Sequence, residues 1–120
     1  MTALLVALGA ALGATCRHLV VTALRARLDA TTAGGVLAVN ASGSLLLGLV
    51  AGHATGAAPE WLLPLVGVGF CGAYTTFATH AVEIASNIRS GAVRHAVADL
   101  ALNLILALAL VSLGWLVTAG

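Results

Sequence analysis

The chain has 120 residues, 61% hydrophobic and 8% charged, with a formal net charge of +1 and a mean hydropathy of +1.10. A water-soluble domain of this size carries charge on roughly a quarter of its residues, so nine charged side chains cannot cover an aqueous surface, and the solvent must be lipid. There is no lysine and no basic patch, which leaves nucleic-acid binding without an electrostatic footing; the length allows one compact domain, residues 1–120.

Crossing a bilayer as a helix takes about 20 apolar residues, and four stretches supply them: Thr2–Leu24, Ala33–Gly52, Trp61–Val82 and Ala96–Thr118. The first lacks a positively charged leader and ends in arginines rather than at a small-residue cleavage site, so it reads as a retained helix. Gly9 and Gly13 form a GxxxG pair on it, with Arg17 one step further along that face. Small residues let helix backbones approach closely in lipid. Arg17 lies about 15 residues into the span, roughly 22 Å by helical rise, and its stem is long enough to snorkel to headgroups.

On the second span Asn40, Ser44, Gly48 and Gly52 recur every four residues as one small and polar stripe. Asn40 is about 7 residues in, roughly 10 Å deep. An amide at that depth needs partners: it can donate to an anion, or it can make an interhelical hydrogen bond with no transport role.

The third span carries Gly67, Gly69, Gly72, Thr75 and Thr76 near mid-membrane. Glycine and β-branched residues both propagate a helix poorly, so a break is predicted, of a kind tolerated where it lines a cavity or is buried in protein. Freed carbonyls there can hold a cation and exposed amides an anion; a packing hinge is the other reading. His80 follows, with no cysteine or carboxylate at ligand spacing to suggest a metal. Glu83 stands near the inner end of the span, and Cys16 and Cys71 read as small buried residues. The fourth span is an apolar helix, and Trp61 and Trp115 mark span ends at the interface.

The arginines are one-sided. Arg17, Arg25 and Arg27 end the first span or follow it, Arg89 and Arg94 follow the third, and the opposite side holds none. Arginine-rich loops stay in the cytoplasm. A multi-pass protein of the cell (inner or plasma) membrane is therefore expected, with loops 25–32 and 83–95 cytoplasmic and both termini outside.

Taken in order, three motifs add up. Gly13-Ala14-Thr15-Cys16-Arg17, then Gly35-Val36-Leu37-Ala38-Val39-Asn40-Ala41-Ser42-Gly43-Ser44 with Gly48, then Gly69-Phe70-Cys71-Gly72-Ala73-Tyr74-Thr75-Thr76-Phe77 with Glu83, resemble the helix signatures of the Fluc (CrcB) fluoride channels. The match runs from about Gly9 to Glu83, and the fourth span matches only as an apolar helix. The resemblance implies an all-α membrane protein of four transmembrane helices, the third broken mid-membrane, assembled as an antiparallel dimer with two pores. It implies passive export of fluoride from the cytoplasm, with a structural sodium ion at the centre of the dimer held by the backbone carbonyls of Gly72 and Thr75. Asn40, Ser44, Thr76 and Thr79 would line the pore, Phe77 would present its ring edge to fluoride, and Arg17 would face an aqueous vestibule.

One position departs from the pattern. The family continues Ser-Thr-Phe-Ser where this chain has Ala78-Thr79-His80-Ala81, so His80 stands in the place of the second pore phenylalanine. An antiparallel homodimer also needs one sequence to insert both ways, which five arginines on one side oppose. The expected partner is an oppositely oriented homologous subunit, beside fluoride and lipid as the other partners. Two further readings are a small proton-coupled multidrug-type exporter, for which Glu83 is the only candidate carboxylate, and a structural membrane subunit without transport of its own. An enzyme is not expected: no nucleophile–base pair or phosphate loop appears, and Gly67-x-Gly69-x-x-Gly72 lies inside a span rather than after a strand.

Overall fold

The computed structural model describes the chain apart from residues 29–31, and side chains apart from residues 28–33. The described residues form five helices and no strand: α1 (Thr2–Leu28), α2 (Thr32–His53), α3, α4 (Ala78–Arg89) and α5 (Val93–Thr118). Helix α3 is wound in two parts, a π-helical stretch Leu63–Cys71 and one α-helical turn Gly72–Tyr74. Among the described residues four segments are long and apolar enough to cross a membrane, α3 and α4 together making the third, Leu63–Arg89. The 26 residues of α5 reach about 39 Å at 1.5 Å per residue, more than the roughly 30 Å of hydrocarbon.

The helices outrun the apolar spans at their charged ends. Helix α1 continues through Arg25 and Arg27, and α4 through Glu83 to Arg89. Arginines in a last turn oppose the partial negative charge of the helix C-terminus, which favours this extension. The connection expected at 25–32 thus shrinks towards residues 29–31, which lie outside the described residues. The one expected at 83–95 becomes a tight turn after α4, where Gly91 takes a φ of 83° that its neighbours' side chains would resist.

Helix α3 carries Pro64, which has no amide proton, in its first turn and contains Gly67 and Gly69. π-Turns are ordinarily single insertions in an α-helix; here the wide winding runs through Leu63–Cys71 and gives way to one α-helical turn before the break.

Glycines set the packing. A Cβ at Gly9 would strike the Leu65 carbonyl and one at Gly13 the Phe70 carbonyl, so the GxxxG pair is the seam between α1 and α3. The stripe on α2 faces α5: a Cβ at Gly48 would strike the Val111 carbonyl, and one at Gly114 would stand 2.6 Å from the Leu45 carbonyl. Thr118 Oγ1 closes that seam by donating to the Leu49 carbonyl at 2.9 Å. Two helix pairs result, α1 with α3 and α2 with α5, and α4 leaves the first to pack on α5. Val36, Val39, Cys71 and Ala96 are buried where they meet, while Leu4, Leu12, Ile105 and Leu116 point outward. Such a surface suits acyl chains and not water.

Because backbone lies within contact distance at these glycines, Gly114→Val and Gly13→Val should each destabilise the fold by about 1–3 kcal/mol. Thermal unfolding in detergent measures this. Gly72→Ala is the control, since a Cβ there meets nothing within 4 Å.

Candidate functional site

The third span breaks between α3 and α4. Thr75 turns extended, with φ −77° and ψ 159°, and ends the helical run. Thr76, two residues before α4, meets the start of that helix: its Oγ1 accepts the Thr79 amide at 3.3 Å, satisfying one of the amide donors that every helix N-terminus leaves unpaired. The same hydroxyl donates to Thr79 Oγ1 at 3.2 Å.

An open peptide at this depth cannot turn to water, so something must bind it. Asn40 does so from α2. Its Oδ1 accepts the Thr76 N–H at 2.8 Å, and its Nδ2 donates to the Thr76 carbonyl at 3.2 Å. One side chain thus serves both halves of a single residue's backbone. The second Nδ2 proton goes to Asn103 Oδ1 on α5 at 3.0 Å. Of the two roles that sequence reasoning left open for Asn40, the structure displays the interhelical hydrogen bond.

Arg17 meets the break from the other side. Its Nη1 donates to the Thr75 carbonyl at 3.4 Å, placing a cation at the C-terminal end of α3, where helix carbonyls point outward. Its guanidinium is therefore engaged inside the protein rather than extended to headgroups. In an unbroken helix the Gly72 and Thr75 carbonyls would accept from the amides of residues 76 and 79. Those amides are directed to Asn40 Oδ1 and Thr76 Oγ1 instead. Both oxygens are thereby released from helical pairing, the Thr75 carbonyl accepting from Arg17 with one lone pair, and both are neutral, hard ligands of the kind sodium accepts.

Beside the break lies a cavity of about 560 Å³. Seven of the candidate site residues line it together: Asn40, Ser44, Gly72, Thr75, Thr76, Phe77 and His80. Thr79 is not part of its wall and joins through the Thr76 hydroxyl. Phe77 projects its ring outward at 78% exposure, whereas His80 is 4% exposed, with no hydrogen-bond partner for Nε2 among the described residues. Both carboxylate oxygens of Glu83, one turn further along α4, are likewise buried and unpartnered among the described residues.

Asn103 is the residue that sequence reasoning missed. Its signal was available, a single amide inside the otherwise apolar run of α5, and a polar side chain at membrane depth is by default functional or paired. Nothing in the sequence says which helix it faces.

The sequence profile of the family described as CrcB-like protein, Camphor Resistance (CrcB), matches residues 4–115. The chain is 41% identical over 120 residues to a protein of Frankia casuarinae named fluoride-specific ion channel FluC 1, covering 95% of this chain and 93% of that one. It is 42% identical over 112 residues to FluC 2 of Symbiobacterium thermophilum, covering 91% and 90%. With FluC of Shewanella woodyi it shares 40% over 113 residues, covering 92% and 90%.

Removing the clamp leaves the Thr76 amide and carbonyl without partners. Each buried orphan costs about 1–3 kcal/mol, so Asn40→Leu should be destabilised by roughly 2–6 kcal/mol, read as a loss of monodisperse protein on size-exclusion chromatography in detergent. Asn40→Asp keeps the acceptor for the Thr76 amide and should lose less.

Proposed function

The chain belongs to the CrcB-like family, and from that premise we propose that its broken third span forms one wall of a fluoride pore. The protein is a subunit of a fluoride-selective channel, a multi-pass membrane protein and not an enzyme. Export is passive, down the gradient from the cytoplasm. The observation that carries this reading is the break itself, held open at mid-membrane by Asn40 and Arg17 beside a cavity whose wall carries Ser44, Thr76 and Phe77.

The chemistry is coherent. Fluoride is compact and strongly hydrated, so a pore must replace its water with closely placed donors. Aromatic ring edges carry partial positive charge and offer a weak substitute, as Phe77 does from the break. Several weak sites in series let an ion leave as readily as it enters. The first turn of α4, which follows the break, adds the partial positive charge of a helix N-terminus.

A second subunit completes the site. Phe77 and the apolar cavity wall are unpartnered on a single chain. The Gly72 and Thr75 carbonyls supply only two oxygens, too few to replace the water shell of a sodium ion. A second, oppositely oriented copy of this fold would bring two more to the dimer centre, where sodium would tie the two breaks together. The arginine distribution favours one orientation for this chain, with the inner ends of α1 and α4 in the cytoplasm and both termini outside the cell membrane. A homologous subunit of opposite arginine bias is therefore the partner.

Two measurements test this. Reporter fusions at residue 120 should report an outside location in nearly every copy, and an even split would argue for a homodimer instead. Liposomes holding this chain with its oppositely oriented homologue should release fluoride, while liposomes holding this chain alone should release at least tenfold less. Full release by the lone chain would overturn the heterodimer.

A further inference from the structure

The donors around the cavity are unequally engaged. A backbone amide can only donate, so the Thr76 N–H identifies the Asn40 atom facing it as Oδ1 and fixes the orientation of that side-chain amide. Both Nδ2 protons of Asn40 are then used, one on the Thr76 carbonyl and one on Asn103 Oδ1. An NH2 group has no third proton to give. Asn103, whose Oδ1 is turned to Asn40, must direct its own NH2 elsewhere.

His80 completes the picture. It lines the same cavity, is 96% buried by its 4% exposure, and its Nε2 finds no partner among the described residues. A buried polar atom left in that state carries a penalty that an entering ligand relieves. On the cavity wall Asn103 belongs to α5 and His80 to α4, and every other wall residue from α2 and α5 is uncharged.

We propose that the anion-binding donors of this cavity are the Nε2–H of His80 and the side-chain NH2 of Asn103, with Asn40 holding the break rather than the ion. This deepens the channel reading, and rests on it for the identity of the anion as fluoride. An imidazole N–H donor holds a compact anion more tightly than an aromatic ring edge does, because hydrogen bonds to charged groups are the stronger class. His80 therefore makes this subunit's wall a deeper well than a phenylalanine would.

The test follows the imidazole directly. The full chain, labelled with 15N-histidine and reconstituted in lipid nanodiscs with its partner subunit, is titrated with sodium fluoride and, separately, sodium chloride; His80→Phe assigns the resonance. The His80 Nε2 signal should move with fluoride and not with chloride. In Asn103→Asp, which keeps the acceptor for Asn40 and removes the NH2, the fluoride midpoint should rise roughly tenfold or more. An Nε2 signal unmoved by fluoride, or an Asn103→Asp midpoint equal to that of the unaltered chain, overturns the site. Fluoride efflux from the same preparations separates the two ideas. Efflux with an unmoved Nε2 leaves the channel standing and removes this site. A responsive Nε2 without efflux keeps the anion site and removes the channel.

Discussion

The arrangement depends on one side chain, Asn40, pairing with both backbone groups of Thr76. A membrane offers no water to an interrupted helix, so a break at its centre persists only where other groups supply the missing hydrogen bonds. Asn40 supplies two, Arg17 supplies one at the Thr75 carbonyl, and the Thr76 hydroxyl supplies a fourth to the amide of Thr79. Without them the freed amides and carbonyls would favour rewinding Leu63–Arg89 into one continuous helix. That would return the Gly72 and Thr75 carbonyls to helical hydrogen bonds, and the polar wall of the cavity would be lost.

Glycine seams hold those partners in reach. Hydrophobic burial does little between helices already dissolved in lipid, so close van der Waals packing must do the work. The seam at Gly9 and Gly13 brings α1 against α3, which carries Arg17 towards the break; the seam at Gly48 and Gly114 brings α2 against α5, which brings Asn40 to Asn103. The break is the place where the third span passes from one helix pair to the other. Its polar groups are thereby bonded to three different helices at once.

One face is left open by this packing. Phe77 projects outward, and the cavity wall beside it mixes apolar surface with Asn103 and His80. Lipid would solvate the apolar part and leave the polar part unmet, so a wall of this composition fits a path shared with a second subunit. Within that wall both Nδ2 protons of Asn40 are already given to protein acceptors. His80, the residue that departs from the family's pattern, is also a wall residue whose buried Nε2 has no partner among the described residues.

Much of the fold was legible without coordinates. Bilayer thickness and the cost of burying charge act on composition itself, so the number of spans and their positions can be read from hydropathy and arginine placement. The interruption was legible as well, because Gly67, Gly69, Gly72, Thr75 and Thr76 are poor helix formers wherever they occur. The helix ends were read short, since Arg25, Arg27 and Arg89 extend their helices through favourable placement near the C-termini. What only the tertiary structure decided was who bonds to whom. Asn40 could have faced an anion, lipid or another helix, Arg17 could have reached headgroups, and Asn103 was one amide among leucines. Their partners depend on the rotation of each helix about its own axis, which the glycine contacts between helices set and which no single span contains.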